Sequence, residues 1–296
     1  MAILNRGFDQ TNLTGSVGGV TYRRVGGVTV ASQKVPMHVK AKQTVSLMAT
    51  RMRWPNLVAI WRALNTTDWH PSFLGTSKLV SDFNRFMATN FATANIYLPK
   101  PLVRAGAGIV SVVCVTEGSL TAVSCGFGTG SVPTTDLAVG TLTLGNSTTL
   151  DTFSQAIINN NPSQGWRNGD QLTLLTLSQS VDSQGVNRIV AHVDEVTLDT
   201  EGDTTMLSDV IDVSRYTITD GKLAWSAAVT GGVTAVHSRL VDGETICSTQ
   251  YLELNNPVSV QYSSASAFRS ACESYGGLVT NAMLTPNVGE DFAYNG

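Results

Sequence analysis

The chain has 296 residues, a formal net charge of −3 and only 14% charged side chains, with many Gly, Val, Thr and Ser. That length holds two or three ordinary hydrophobic cores, and the mixture suits β-rich structure with frequent turns. No stretch nears the roughly 20 apolar residues of a membrane crossing. The start MAILNRGFDQTN lacks the basic and apolar regions of a signal peptide, so neither membrane insertion nor export is expected.

The small net charge hides an asymmetry. Residues 1–104 carry 13 of the 19 Lys and Arg but only three of the 22 acids, and the rest of the chain is strongly acidic. A basic portion of this kind meets an acidic partner. The chain itself carries both signs, so identical subunits packed head to tail are expected to neutralise each other.

Residues 1–40 read as an arm: a loop, a hairpin in VTYRRVGGVTVASQKV around Gly26-Gly27, and an extended exit through Pro36. Two-residue Gly-Gly turns favour tight hairpins. Residues 41–95 read as a helical pair. The first helix starts at Thr44 or Ser46, carries Met48, Met52, Val58 and Leu64, and is interrupted near Pro55. Trp54 and Trp61 lie seven apart and share one of its faces. The second runs from about Ser77 to Asn90, with Leu79, Val80, Phe83, Phe86 and Met87 as its apolar stripe.

From Ile96 onward short strands recur about every ten residues, at 109–116, 120–125, 140–144, 171–177, 187–198, 206–213, 222–229, 233–241 and 244–253. Helices interrupt them near 150–159, capped by Thr148 or Thr149, and near 264–275. The pattern predicts a mainly β fold: one or two Ig-like β-sandwich domains, 96–203 and 204–296, behind the arm and the helical pair. One internal echo stands out. Residues 20–32 align without gaps onto residues 236–248, placing Arg23 over Arg239.

Chemistry is sparse. The chain holds no GxSxG, HExxH, Walker A, EF-hand or kinase signature. Gly126–Gly130 is Gly-rich but no helix start follows it, so it reads as a bulged loop. His38, His70, His192 and His237 are scattered. The acids Asp194, Glu195, Asp199, Glu201 and Asp203 lack the ligand order of a calcium loop and read as a solvated rim. Cys114, Cys125, Cys247 and Cys272 show no CxxC spacing; buried free thiols suit a reducing cytoplasm better than a Cys114–Cys125 bridge. No catalytic, cofactor or metal residues are therefore assigned. Nucleic acid is a less favoured partner for the arm, because only Tyr22 interleaves its cations.

The run GSVGGVTYRRVGGVTVASQKV, its Lys-bearing link and the helix RMRWPNLVAIWRAL resemble an uncharacterised structural-protein family. That family occurs in Bacteroidota and their tailed bacteriophages, crAss-like phages included. Asp82-Phe83-Asn84 with Asn90-Phe91, LPKPLVRAGAGIVSVVCVTEGSL and VHSRLVDGETICSTQYL look like its later landmarks. The link PMHVKAKQ at 36–43 departs from the Asn-Pro-like turn of many members.

The resemblance implies a virion component of the neck, tail or capsid surface, made in the host cytoplasm and assembling with its own copies and other virion proteins. The subunit-interface residues expected on this reading are Tyr22, Arg23, Arg24, Lys34, Arg51, Arg53, Trp54, Trp61 and Arg239. A carbohydrate-binding or adhesin-type surface protein is the alternative, and an enzyme is not expected.

Overall fold

A computed structural model describes residues 2–3, 15–17, 19–25, 28–33, 45–67, 69, 71–73, 80–201, 204–255 and 262–275. The fold is mainly β, in several antiparallel sheets with five α-helices among these residues.

The first sheet comprises β1 (Ala2–Ile3), β2 (Gly15–Val17), β3 (Val20–Val25) and β4 (Val28–Gln33), in the order β1-β4-β3-β2. The expected hairpin is there: Val25 pairs with Val28, leaving two residues between the strands. It does not stand alone, because β1 and β2 cover its two edges. Pieces of two and three residues are too short to show a period in sequence.

Helix α1 (Val45–Leu64) runs unbroken through Pro55, where the sequence predicted an interruption. Proline removes one backbone bond, but Met48, Met52, Asn56, Ile60 and Leu64 all bury at four-residue spacing, and that stripe holds the helix together. Its start cap lies outside the described residues. Helix α2 (Asp82–Phe91) starts later than predicted, where the Ser81 hydroxyl accepts from the Asn84 N–H. Val80 therefore precedes the helix and is exposed, while Ser77 and Leu79 lie outside the described residues. A short α3 (Lys100–Arg104) follows.

The remaining strands are β5 (Cys114–Thr116), β6 (Cys125–Phe127), β7 (Pro133–Ala138), β8 (Gln171–Val181), β9 (Asn187–Thr197), β10 (Tyr216–Thr219), β11 (Lys222–Trp225), β12 (Gly231–Val241), β13 (Glu244–Cys247), β14 (Gln250–Tyr251) and β15 (Glu253–Leu254). Helix α4 (Leu150–Asn160) is capped by Thr149, and α5 (Ala265–Glu273) by Ser264.

The long strands form a central sheet in the order β13-β12-β8-β9, with β15 also on β12. Within β8, Leu172 and Leu174 bury on one face and Leu175 and Leu177 on the other. Period two therefore sends apolar side chains both ways. The first face meets a smaller sheet, β10-β11-β7-β6, and α4, through Leu137, Phe153, Tyr216, Leu223 and Trp225. The second face meets α1 and α2 through Leu57, Ile60, Leu64 and Phe86. A third, smaller cluster joins Met48 and Met52 of α1 to Phe268 and Cys272 of α5.

This arrangement corrects the predicted boundary near 203. Strand β12 pairs along β8 from Gly231 opposite Ser178 to Ser238 opposite Gln171, so segments 96–203 and 204–296 share one sheet. The predicted strand 206–213 is instead a pair of 3-10 turns, Leu207–Asp209 and Val213–Arg215, that bury Leu207 and Val213. Residues 140–141 form a turn, and 142–144 lie outside any strand. Strand β7, where no strand was expected, begins at Pro133; proline is tolerated at a strand's first residue.

Only the end of the predicted strand 109–116 joins a ladder. Before it, side-chain amides take the partner strand's place. Asn56 bonds both the N–H and the C=O of Ile109, at 2.8 and 2.9 Å. Gln179 accepts from Val110 N–H at 2.8 Å and donates to Gly108 C=O at 3.1 Å. Asn90 accepts from Cys114 N–H at 2.6 Å and donates to Cys114 C=O at 2.9 Å.

Replacing Asn90 by Ala strands two buried backbone groups, each costing about 1–3 kcal/mol when unpaired. We expect urea unfolding to show a loss of about 2 kcal/mol or more. A loss under about 0.5 kcal/mol, the scale of an ordinary surface change, would contradict this role.

Candidate functional site

The described strands of the arm sheet carry two cations, Arg23 and Arg24, and no acid. On β3 successive side chains alternate faces, so Arg23 and Arg24 point oppositely, and both are exposed. Arg23 lies opposite Val30, which is 1% exposed, whereas Arg24 lies opposite Thr29. Tyr22 is half-buried on the Arg24 side. The Arg23 face is thus already packed at Val30, and the Arg24 face offers the freer cation. Lys34 lies outside the described residues.

Three other expected interface residues meet in the helical layer instead. Trp54 and Trp61 do share a face, and it packs on α2: their rings lie 6.4 and 5.6 Å from that of Phe83. Trp61 also meets Phe86, and Trp54 meets Phe91 while staying 45% exposed. The Arg53 guanidinium stacks over Phe91 at 4.6 Å. Arg51 is half-buried on the same helix.

Arg239 is committed within its own chain. Its Nε donates to Asp170 Oδ1 at 2.6 Å, and its Nη2 donates to Asp170 Oδ2 and Gly165 C=O, both at 2.7 Å. Asp170 Oδ2 also accepts from the Arg167 N–H and pairs with His237 Nε2, both at 2.8 Å. The Trp166 ring stacks on His237, centroids 3.7 Å apart. The WRNGD turn is thereby clamped onto β12.

Asp170 and His237 are each 1% exposed in their side chains, so this dyad holds the fold and presents no face to a substrate. Sequence spacing puts His237 and Arg239 on one side of a strand, but nothing local announces an acid 67 residues earlier.

The internal echo is geometric. Val25 pairs with Val28 as Val241 pairs with Glu244, and Arg23 with Val30 as Arg239 with Ile246. Asp242 and Gly243 have φ of 53° and 82°, the left-handed pair of a type I′ turn. The shared hairpin rule accounts for the likeness, while the two arginines have different surroundings.

Of the acidic rim, Asp194 accepts from Tyr216 OH at 2.6 Å and pairs with His192, and Glu195 accepts from Gln171. Asp203 lies outside the described residues, among which no three His, Cys, Asp or Glu converge as a metal site. The four cysteines are free thiols. Burial pushes Cys114 and Cys272 up to about 11 and Cys125 up to about 12, so they stay protonated and unreactive at neutral pH. Gly126–Gly130 spans the turn from β6 towards β7, with Gly130 at φ 73°.

The chain matches no protein-family model, no curated protein and no solved structure. Its own surfaces therefore carry the functional reading.

The clamp has a pH signature. Burial, offset only in part by Asp170, holds His237 below its usual 6.5. Geometry agrees: Nδ1 is buried with no partner, so a second proton there would be an unsatisfied donor beside Arg239. Burial acts to raise Asp170, but bonds from Arg239, His237 and Arg167 N–H outweigh it and lower its pKa. Below pH 6.5 the unfolded chain takes up a proton that native His237 refuses, so stability falls as pH falls. The slope for one such proton is at most about 1.4 kcal/mol per pH unit. Between pH 7 and 5, His237→Gln should flatten this loss in denaturant titrations; an unchanged slope would contradict the assignment.

Proposed function

We propose that this chain is a structural subunit of a tailed-bacteriophage virion, assembling through copies of itself into a ring, tube or shell layer of the neck, tail or capsid surface. The observation that carries the reading is the arm: a separate basic sheet with Arg23 and Arg24 exposed, on a chain whose acids lie almost entirely beyond residue 104. Its four strands are two to six residues long, so a neighbouring surface would add to the stability of this sheet. The sandwich of such a subunit, Ig-like on this reading, is the pair of sheets facing each other across Leu172, Leu174, Leu223 and Trp225. The resemblance in the arm and the first helix points the same way.

The adhesin alternative asks for exposed aromatic platforms. Trp61 is taken up against Phe83 and Phe86, and Trp69 is buried. Trp54 and Tyr251 stay exposed, but Trp54 packs on Phe83 and Phe91, and this inward helical cluster favours assembly over sugar binding.

In this reading Arg24 docks on a carboxylate of the adjoining copy, where a bidentate pair gives strength and direction. The test uses the full chain in sedimentation velocity and electron microscopy. We expect assembly at low salt, slowed near 1 M salt, where the screening length shrinks to about 3 Å. Arg24→Glu should leave a folded monomer, while Arg23→Glu should still assemble. If both variants assemble like the parent at every salt concentration, the arm is not the docking element.

A further inference from the structure

Strand β12 outruns its neighbour. Strand β8 begins at Gln171, opposite Ser238, so the last residues of β12 pair only with β13 and the hairpin projects from the body. Its tip carries Leu240 at 69% and Val241 at 40% exposure, together with the exposed acids Asp242 and Glu244. Arg239, on the same strand just before the tip, is bound to Asp170. The tip is therefore an apolar knob with an acidic end.

A groove of opposite character lies between α1, residues 103–108 and the edge strand β9. It encloses about 640 Å³; Trp54, Val58, Ala59 and Val190 give it apolar walls, and Arg62 and Arg188 line it. Arg188 is already bonded to Asp182, which leaves Arg62 as the groove's exposed cation. No carboxylate among the described residues lines it.

Knob and groove cannot meet in one molecule. Val190 pairs with Ser178, which pairs with Gly231, so the groove is level with the start of β12 while the knob is at its end. Ten strand residues separate them, roughly 30 Å.

We propose that the Leu240–Glu244 knob of one copy seats in the α1–β9 groove of the next, with its acids facing Arg62. Leu240 fills the apolar part, and complementary charge sets the orientation. The contact joins different surfaces of identical chains, so it repeats head to tail and closes into a ring or extends as a helical filament. The inference rests on the self-assembly reading above and names a surface for it distinct from the arm.

The test places a photo-cross-linking benzophenone side chain at position 240 of the full chain and mixes isotopically light and heavy copies. Irradiated assemblies should give light–heavy cross-links from residue 240 to residues 54–66 or 188–191. Arg62→Glu should cut that yield roughly tenfold or more, and adding Glu244→Arg in the same chain should restore it. Circular dichroism checks the fold of each variant. Cross-links that land elsewhere, or an assembling chain that gives none between copies, overturn the knob and groove but leave assembly standing. A chain that remains monomeric throughout overturns both.

Discussion

The constraint on which the structure depends is that the central antiparallel sheet is apolar on both faces. Leu172 and Leu174 point one way, and Leu175 and Leu177 the other, all at 1% exposure or less. Burying each contributes about 1.5–3 kcal/mol. Antiparallel sheets commonly leave one face to water, but this one requires two covers. The small sheet with α4 closes one face, and α1 with α2 closes the other. Elements before residue 95 and after residue 204 are thereby bound to the same strands.

Stacking layers this way buries chain that is neither helix nor strand, and its backbone groups still need partners. The fold answers with amides. Asn56, Gln179 and Asn90 bond the extended run from Gly108 to Cys114, and Asn161 does the same for Ala138 on β7. The Asp170–Arg239 pair fastens a turn to β12 in the same spirit, with both Asp170 oxygens engaged. With so much of the polar interior bonded inward, Arg23 and Arg24 of the arm sheet and Asp242 and Glu244 of the β12–β13 tip remain exposed, and the proposed assembly uses them.

Legibility in the sequence followed how local each cause was. Helices α4 and α5 were readable because a hydroxyl cap and an apolar stripe sit within a dozen residues. Strands β8 and β9 were readable from their alternation, and the arm hairpin from its Gly-Gly turn. Strand β7 was missed because Pro133 marks a break unless it is a first residue. Residues 206–213 misled because Leu207, Ile211 and Val213 bury from successive turns, at a spacing that also fits a strand. The boundary near 203 failed for a non-local reason: pairing between residues 171–178 and 231–238 leaves no trace in either segment alone. Arg239 and the two tryptophans looked like free interface groups, since their partners Asp170, Phe83 and Phe86 are set only by the folded topology.

If two-sided burial binds the chain into one unit, its layers should not open separately. Native-state hydrogen exchange across a denaturant series measures this most directly, because it reports the opening free energy of each segment. The account predicts that amides of Leu57–Leu64 in α1, Leu172–Leu177 in β8 and Val233–His237 in β12 converge on a single opening with one free energy. Exchange of the α1 amides, or of the strands after residue 204, at clearly lower free energy while β8 stays protected would contradict it.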